Sequence, residues 1–137
     1  MVKLIQDIWI LAESGVVLFH RVFNEHLDAQ LFGGLMTALN SFAEKLSKGG
    51  LTNFELNSKR FSVIKRRELL FIVNSSKMIK TKKVLQELET IVNRFFKAYP
   101  EDILYKFDGN VKQFNDFEKE IEDSLQETIR KFQKALW

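Results

Sequence analysis

No cysteine occurs anywhere in the 137 residues, which removes disulfides, thiolate zinc sites and cysteine nucleophiles and fits a reducing cytoplasm. Histidine occurs twice, as His20 and His26, with no third ligand at metal-site spacing, so neither a metal nor any other cofactor is expected. Ser14 near His20 lies in a Glu-Ser-Gly turn that a hairpin explains fully, and no GxSxG pattern accompanies it. Glycine is scarce and comes partly in pairs, Gly33-Gly34 and Gly49-Gly50; the second pair lacks the following Lys-Ser or Lys-Thr of a phosphate loop. The N-terminal apolar run is interrupted by Gln6 and Asp7, and no run approaches the roughly 20 residues that span a bilayer, so neither signal peptide nor membrane span is expected. Net charge is only +3, so electrostatic function would have to come from local asymmetry. Nothing in this inventory indicates an enzyme.

What is present is an ordinary globular composition, 45% hydrophobic and 28% charged, with 13 Phe for an aromatic-rich core in one domain. The stretch DAQLFGGLMTALNSFAEKLSKG, Asp28 to Gly49, organises it. Leu31, Leu35, Leu39, Phe42 and Leu46 recur at helical spacing and predict one apolar stripe facing a sheet or another helix. Asp28 suits the N-cap, and Lys45, Lys48 and Gly49 suit the C-terminal end. Gly33-Gly34 inside this helix costs roughly 1 kcal/mol per glycine relative to alanine. Two gains could offset that cost: close packing on the protein's own sheet, or close approach of a partner.

Taken in order, Leu4 to Ala12 is apolar on both faces and predicts a central strand. Glu13-Ser14-Gly15 turns the chain into a returning strand, Val16 to Phe23, with Val17, Phe19 and Phe23 on one face. After the helix, Leu51 to Asn57 and Phe61 to Lys65 alternate as half-exposed strands, and Leu69 to Val73 is apolar throughout and hence buried. Asn74 to Ser76 offers caps for a second helix bearing Val84, Leu88, Ile91, Phe95 and Ala98, stopped by Pro100. Glu101 to Phe107 reads as a turn or two of helix and Asp108-Gly109 as a turn. A last helix begins near Asn110, with Phe114, Phe117, Ile121 and Leu125 continued by Ile129, Phe132 and Leu136. The order β-β-α-β-β-β-α-α predicts a five-stranded antiparallel sheet between helical layers, an α-β-α sandwich.

Charge is polarised. From Asn57 to Lys83 nine basic residues face Glu68 alone, and from Glu101 to Glu127 nine acidic residues face three basic ones. Lys65, Arg66, Arg67, Lys77, Lys80, Lys82 and Lys83 therefore form a candidate surface for anionic membranes or an acidic partner, against the plain alternative of a solvated face. Nucleic acid is not expected, because this stretch lacks an array of stacking aromatics.

This order, together with ILAESGVVLFHRVF followed by LFGGLMTALNSFAEKL, resembles the longin domain, a profilin-like fold, over roughly residues 3–125, which implies a domain at 1–125 and leaves 126–137 as an extension of the last helix. The fold is shared by longin-type SNARE N-terminal domains, small and medium adaptor subunits, the signal-recognition-particle receptor, and subunits of tethering and GTPase-exchange complexes. The wording GGLMTALNSFAEKL is most similar to archaeal longin-like and roadblock-like proteins; roadblock domains usually begin with a helix, whereas here Lys3 leads almost directly into a strand. The resemblance implies a non-enzymatic cytoplasmic module in a small-GTPase or vesicle-trafficking-like system. Its partner would be a small GTPase, a longin or roadblock subunit, or a peptide motif, in a homo- or heterodimer, with peripheral membrane contact open to it. It also implies partner contacts at Phe32, Gly33, Gly34, Met36 and Asn40 on the first helix and at Thr52, Phe54 and Leu56 on the third strand. The last helix is needed by the fold, which leaves no full SNARE coiled coil. A roadblock- or profilin-like regulatory subunit sensing a small molecule is the alternative.

Overall fold

Alternating and fully apolar segments form five strands: β1 (Asp7–Leu11), β2 (Val17–Arg21), β3 (Asn53–Glu55), β4 (Lys59–Arg66) and β5 (Leu69–Ser76). In a computed structural model, which describes residues 5–22, 28–56, 58–100 and 111–122, they join into one antiparallel sheet ordered β2-β1-β5-β4-β3. The two strands that are apolar on both faces, β1 and β5, lie side by side in the interior with Ile10 opposite Phe71. Helix α1 (Ala29–Leu46) covers one face and helix α2 (Thr81–Ala98) the other, so each of those strands buries both sets of side chains. Among the described residues α2 shares its layer with a 3-10 turn, Val111–Phe114, and a short helix α3 (Phe117–Ile121). On that side Phe71, Phe95 and Phe117 meet edge to face, with Phe95 at 5.4 Å from Phe71 and 5.2 Å from Phe117.

Several sequence expectations shift, each for a local reason. The register of β1 on β2 slips between Ile10 and Leu11, which puts an extra residue, Leu18, into β2. That bulge sends Val17 under α1 while Leu18 and Phe19 both join the α2 core, so Val17 and Phe19 do not share a face. Asn74 to Ser76 continue β5 instead of capping α2: Asn74 and Ser75 are buried opposite Phe61 and Arg60. Lys80 takes the N-cap position of α2 without a side-chain cap. Strand β4 begins at Lys59, two residues before the expected start at Phe61, while β3 is shorter than predicted. The turn from β4 to β5 is Arg67-Glu68, both at positive φ (50° and 66°), the geometry of a tight hairpin made here without glycine. The last helix is not continuous: the 3-10 turn and α3 replace its start. Phe23, His26, the segment 101–110, Asp123, Leu125 and the extension 126–137 lie outside the described residues.

Candidate interaction face

Helix α1 starts where the Asp28 carboxylate accepts a hydrogen bond from the Leu31 amide at 3.0 Å. Its inward face carries Phe32, Gly33, Met36 and Asn40. Phe32 stacks on Trp9 with centroids 4.1 Å apart, and Met36 is fully buried. At Gly33 the hairpin turn presses on the helix, and a Cβ there would lie 2.7 Å from the Gly15 carbonyl oxygen and from Val17 Cγ2. Asn40 holds the chain leaving the helix. Its Oδ1 accepts from the Leu51 amide (3.1 Å), and its Nδ2 donates to Glu44 (2.7 Å), whose carboxylate also receives Lys65 Nζ (2.8 Å). The bonds from Lys65 first and Asn40 second hold the Glu44 carboxyl below its usual range, and the bond to Glu44 in turn raises Lys65.

The faces of α1 are thus the reverse of the sequence expectation. Leu31, Leu35, Leu39, Phe42 and Leu46, predicted to meet a sheet or helix, are exposed by 40–74% of their area, with Gly34, Ala38 and Ser41 beside them. Four residues assigned to a partner, Phe32, Gly33, Met36 and Asn40, are instead sequestered by the hairpin, the aromatic core and the loop after the helix. Gly34 alone of the five helix residues points outward, with nothing within 4 Å of a Cβ placed on it. A signal for this was present: from Ala29 to Ala43 the helix has no charged residue on either face, whereas a helix with one side in water normally shows charge there.

Beside the helix, β3 ends the sheet among the described residues, where it pairs with β4. Thr52 and Leu56 are exposed, and Phe54 is half-buried, stacked flat on Phe61 at 4.6 Å. Phe61 in turn lies 6.0 Å from Phe32, so one run of rings reaches from the middle of the sheet to its open edge.

The predicted basic surface divides. Lys65, Arg66 and Arg67 sit at one end of β4. Lys77, Lys80, Lys82 and Lys83 follow β5 at the other, roughly 20–25 Å away for eight extended residues. At the first end the charges are engaged: Lys65 with Glu44, Arg66 with Glu89 through two 3.0 Å bonds, and Arg67 over the Phe96 ring at 4.7 Å. At the second, Lys77 and Arg60 both contact Glu55 at 3.2 Å and lower its carboxyl pKa, Lys77 contributing most.

Among the described residues no group of three or more His, Asp or Glu is placed to hold a metal, and no helix is long and apolar enough to cross a membrane. His20 is exposed on β2, and His26 lies outside the described residues. The cavity between Thr37, Ser41 and Leu70 measures about 50 Å³, room for water but not for an organic ligand, and the larger depression between Arg94, Lys119 and Glu122 is open to solvent.

An antiparallel five-stranded sheet between one helix and a second helical layer defines a roadblock- or longin-like α-β-α sandwich. Solved structures similar to the chain are MglB of Myxococcus xanthus, at 10% identity and TM-score 0.53 over 69% of this chain and 85% of that one, and a Roadblock/LC7 domain from Streptomyces avermitilis, at 18% identity and TM-score 0.53 over 70% and 85%. At such identities the likeness is one of fold. No family model and no curated protein matches the sequence.

Proposed function

We propose that the chain is a non-catalytic interaction module that pairs with a second copy of itself through the outward face of α1, with the open edge of β3 beside it. The observation that carries this reading is the pattern of the exposed stripe. Leu31 and Leu46, Leu35 and Phe42, and Ala38 and Leu39 are placed symmetrically about the point between Ala38 and Leu39. Two α1 helices packed antiparallel about a twofold axis at that point would set Leu31 against Leu46, Leu35 against Phe42 and Ala38 against Leu39, each contact occurring twice. Gly34, Ala38 and Ser41 keep the surface low enough for the helices to approach, and the Asp28 end of one helix meets the Lys48 end of the other. Covering the remaining 40–74% of five such side chains in each copy contributes roughly 9–18 kcal/mol, comparable with the ~4–15 kcal/mol cost of holding two chains together.

The resemblance of the hairpin and α1 to longin and roadblock-like proteins, with the shared fold, supports a role for the pair in regulation within a small-GTPase or trafficking-like complex. Gly34 falls within the pairing face, and Thr52, Phe54 and Leu56 are the resemblance-derived contacts left available to a further protein partner. Light scattering during size exclusion tests the pairing. The wild type is expected at twice the 16.1 kDa chain mass and the Leu35→Glu/Phe42→Glu variant at that mass with an unchanged circular dichroism spectrum. A wild type that stays monomeric at every concentration overturns it.

A further inference from the structure

The turn between β5 and α2 is held rigid from below and displays its apex outward. Arg60 donates to the Ile79 carbonyl at 2.8 Å and to the Lys77 carbonyl at 3.4 Å, while Met78 N donates to Ser76 Oγ at 3.1 Å. Ile79 packs against the α2-side core, and its neighbour Met78 is 91% exposed at the apex, the most exposed large apolar side chain among the described residues. Around it stand Lys77, Lys80, Lys82 and Lys83, with no acidic residue between Lys77 and Lys83. Lys77 is paired with Glu55; Lys80, Lys82 and Lys83 have no ion-pair partner among the described residues. These three also crowd the start of α2, whose first turn has no acidic residue and whose N-cap makes no side-chain hydrogen bond. Cations at the positive end of a helix are unfavourable there, so the local field is uncompensated and open to an anionic surface.

We infer that the Lys77–Lys83 turn docks on a bilayer bearing acidic phospholipids, Met78 entering the headgroup boundary while Lys80, Lys82 and Lys83 lie along the anionic headgroups. The combination favours a lipid surface over an acidic protein. A flexible unbranched side chain on a rigid apex, flanked in sequence by Lys77 and the inward-packed Ile79, suits a fluid interface better than a packed protein contact. The other basic end, Lys65 to Arg67, is excluded because its charges are already engaged by Glu44, Glu89 and Phe96. This inference rests on the turn alone and not on the pairing of α1.

The full chain is to be co-sedimented with vesicles of equal phosphatidylserine and phosphatidylcholine, and with phosphatidylcholine alone. Binding is expected only to the former, and it should vanish as the screening length shrinks from about 10 Å at 0.1 M salt to about 3 Å at 1 M. Lys80→Glu/Lys82→Glu/Lys83→Glu should lower the partition by at least about a hundredfold, at about fivefold per lysine. Met78→Ser should weaken it at constant charge, and Met78→Trp should give blue-shifted emission on the acidic vesicles. No binding to acidic vesicles at low salt overturns the inference. So does binding indifferent to both Met78 and the lysines, or binding to soluble polyglutamate as tight as to vesicles with Met78→Trp emission unshifted, which would assign the turn to an acidic protein.

Discussion

A methyl group added at Gly33 would lie 2.7 Å from the Gly15 carbonyl oxygen, a backbone atom that cannot swing away, whereas at Gly34 it would meet nothing within 4 Å. Gly33→Ala is therefore expected to lower stability by about 1–3 kcal/mol through overpacking, and Gly34→Ala to raise it by up to about 1 kcal/mol through helix propensity. Urea melts of both substitutions in the unpaired Leu35→Glu/Phe42→Glu background check both, and equal effects at the two positions would contradict the orientation of α1. The sequence marked the pair as unusual and left own-sheet packing and partner approach open, because adjacent helical residues lie about 100° apart and only tertiary structure decides which one turns inward. Glu44 supports a second prediction. Its folded pKa is held below the usual carboxylate range, so its contribution is present above that range and is lost as the pH falls through the depressed value. The melting-temperature advantage of wild type over Glu44→Gln should thus be constant near neutrality and shrink below about pH 4.5, modestly, because the pair with Lys65 is exposed. An advantage that persists unchanged in acid would refute the Lys65 and Asn40 bonds as its source.

At the level of elements, periodicity located the five strands and both long helices and placed β1 and β5 in the interior of the sheet, where the structure pairs them with each other. It misassigned which face of α1 was covered, and the reason is physical. The stripe from Leu31 to Leu46 is the longer apolar array, but burial went to the side where Gly33 admits the hairpin, Phe32 reaches Trp9 and Asn40 can satisfy the Leu51 amide. Hydrophobicity alone does not report such polar and steric fits. The bulge at Leu18 and the strand role of Asn74 to Ser76 were hidden for similar reasons: one inserted residue changes a face without changing composition, and Asn and Ser read as turn formers unless a neighbouring strand pairs with them. The Arg67-Glu68 turn yields an element-scale prediction. Both residues sit at positive φ, where side chains cost energy, and Arg67 is further occupied by the Phe96 ring. Glu68→Gly should stabilise the fold by about 1 kcal/mol, read from chemical denaturation, and a loss of stability would show that the Glu68 side chain holds the turn.

At the scale of the molecule, the described sheet and its two helical layers bury a core on the α2 side and leave the outer face of α1 apolar beside a strand edge with no described neighbour. An exposed array of this kind on a folded domain marks a surface meant to be covered. In the pairing proposed above, the symmetry of the stripe matches it to a second copy in antiparallel orientation. The absence of cysteine makes that claim directly measurable, since every crosslink can be assigned to an introduced thiol. Ala38→Cys or Leu39→Cys, next to the twofold axis, should be joined to its own counterpart by a short bis-maleimide. Leu31→Cys should not be joined to itself, but should couple to Leu46→Cys when the two variants are mixed. Self-coupling of Leu31→Cys, or no crosslink at Ala38→Cys and Leu39→Cys in a solution where the wild type is dimeric, would contradict the account.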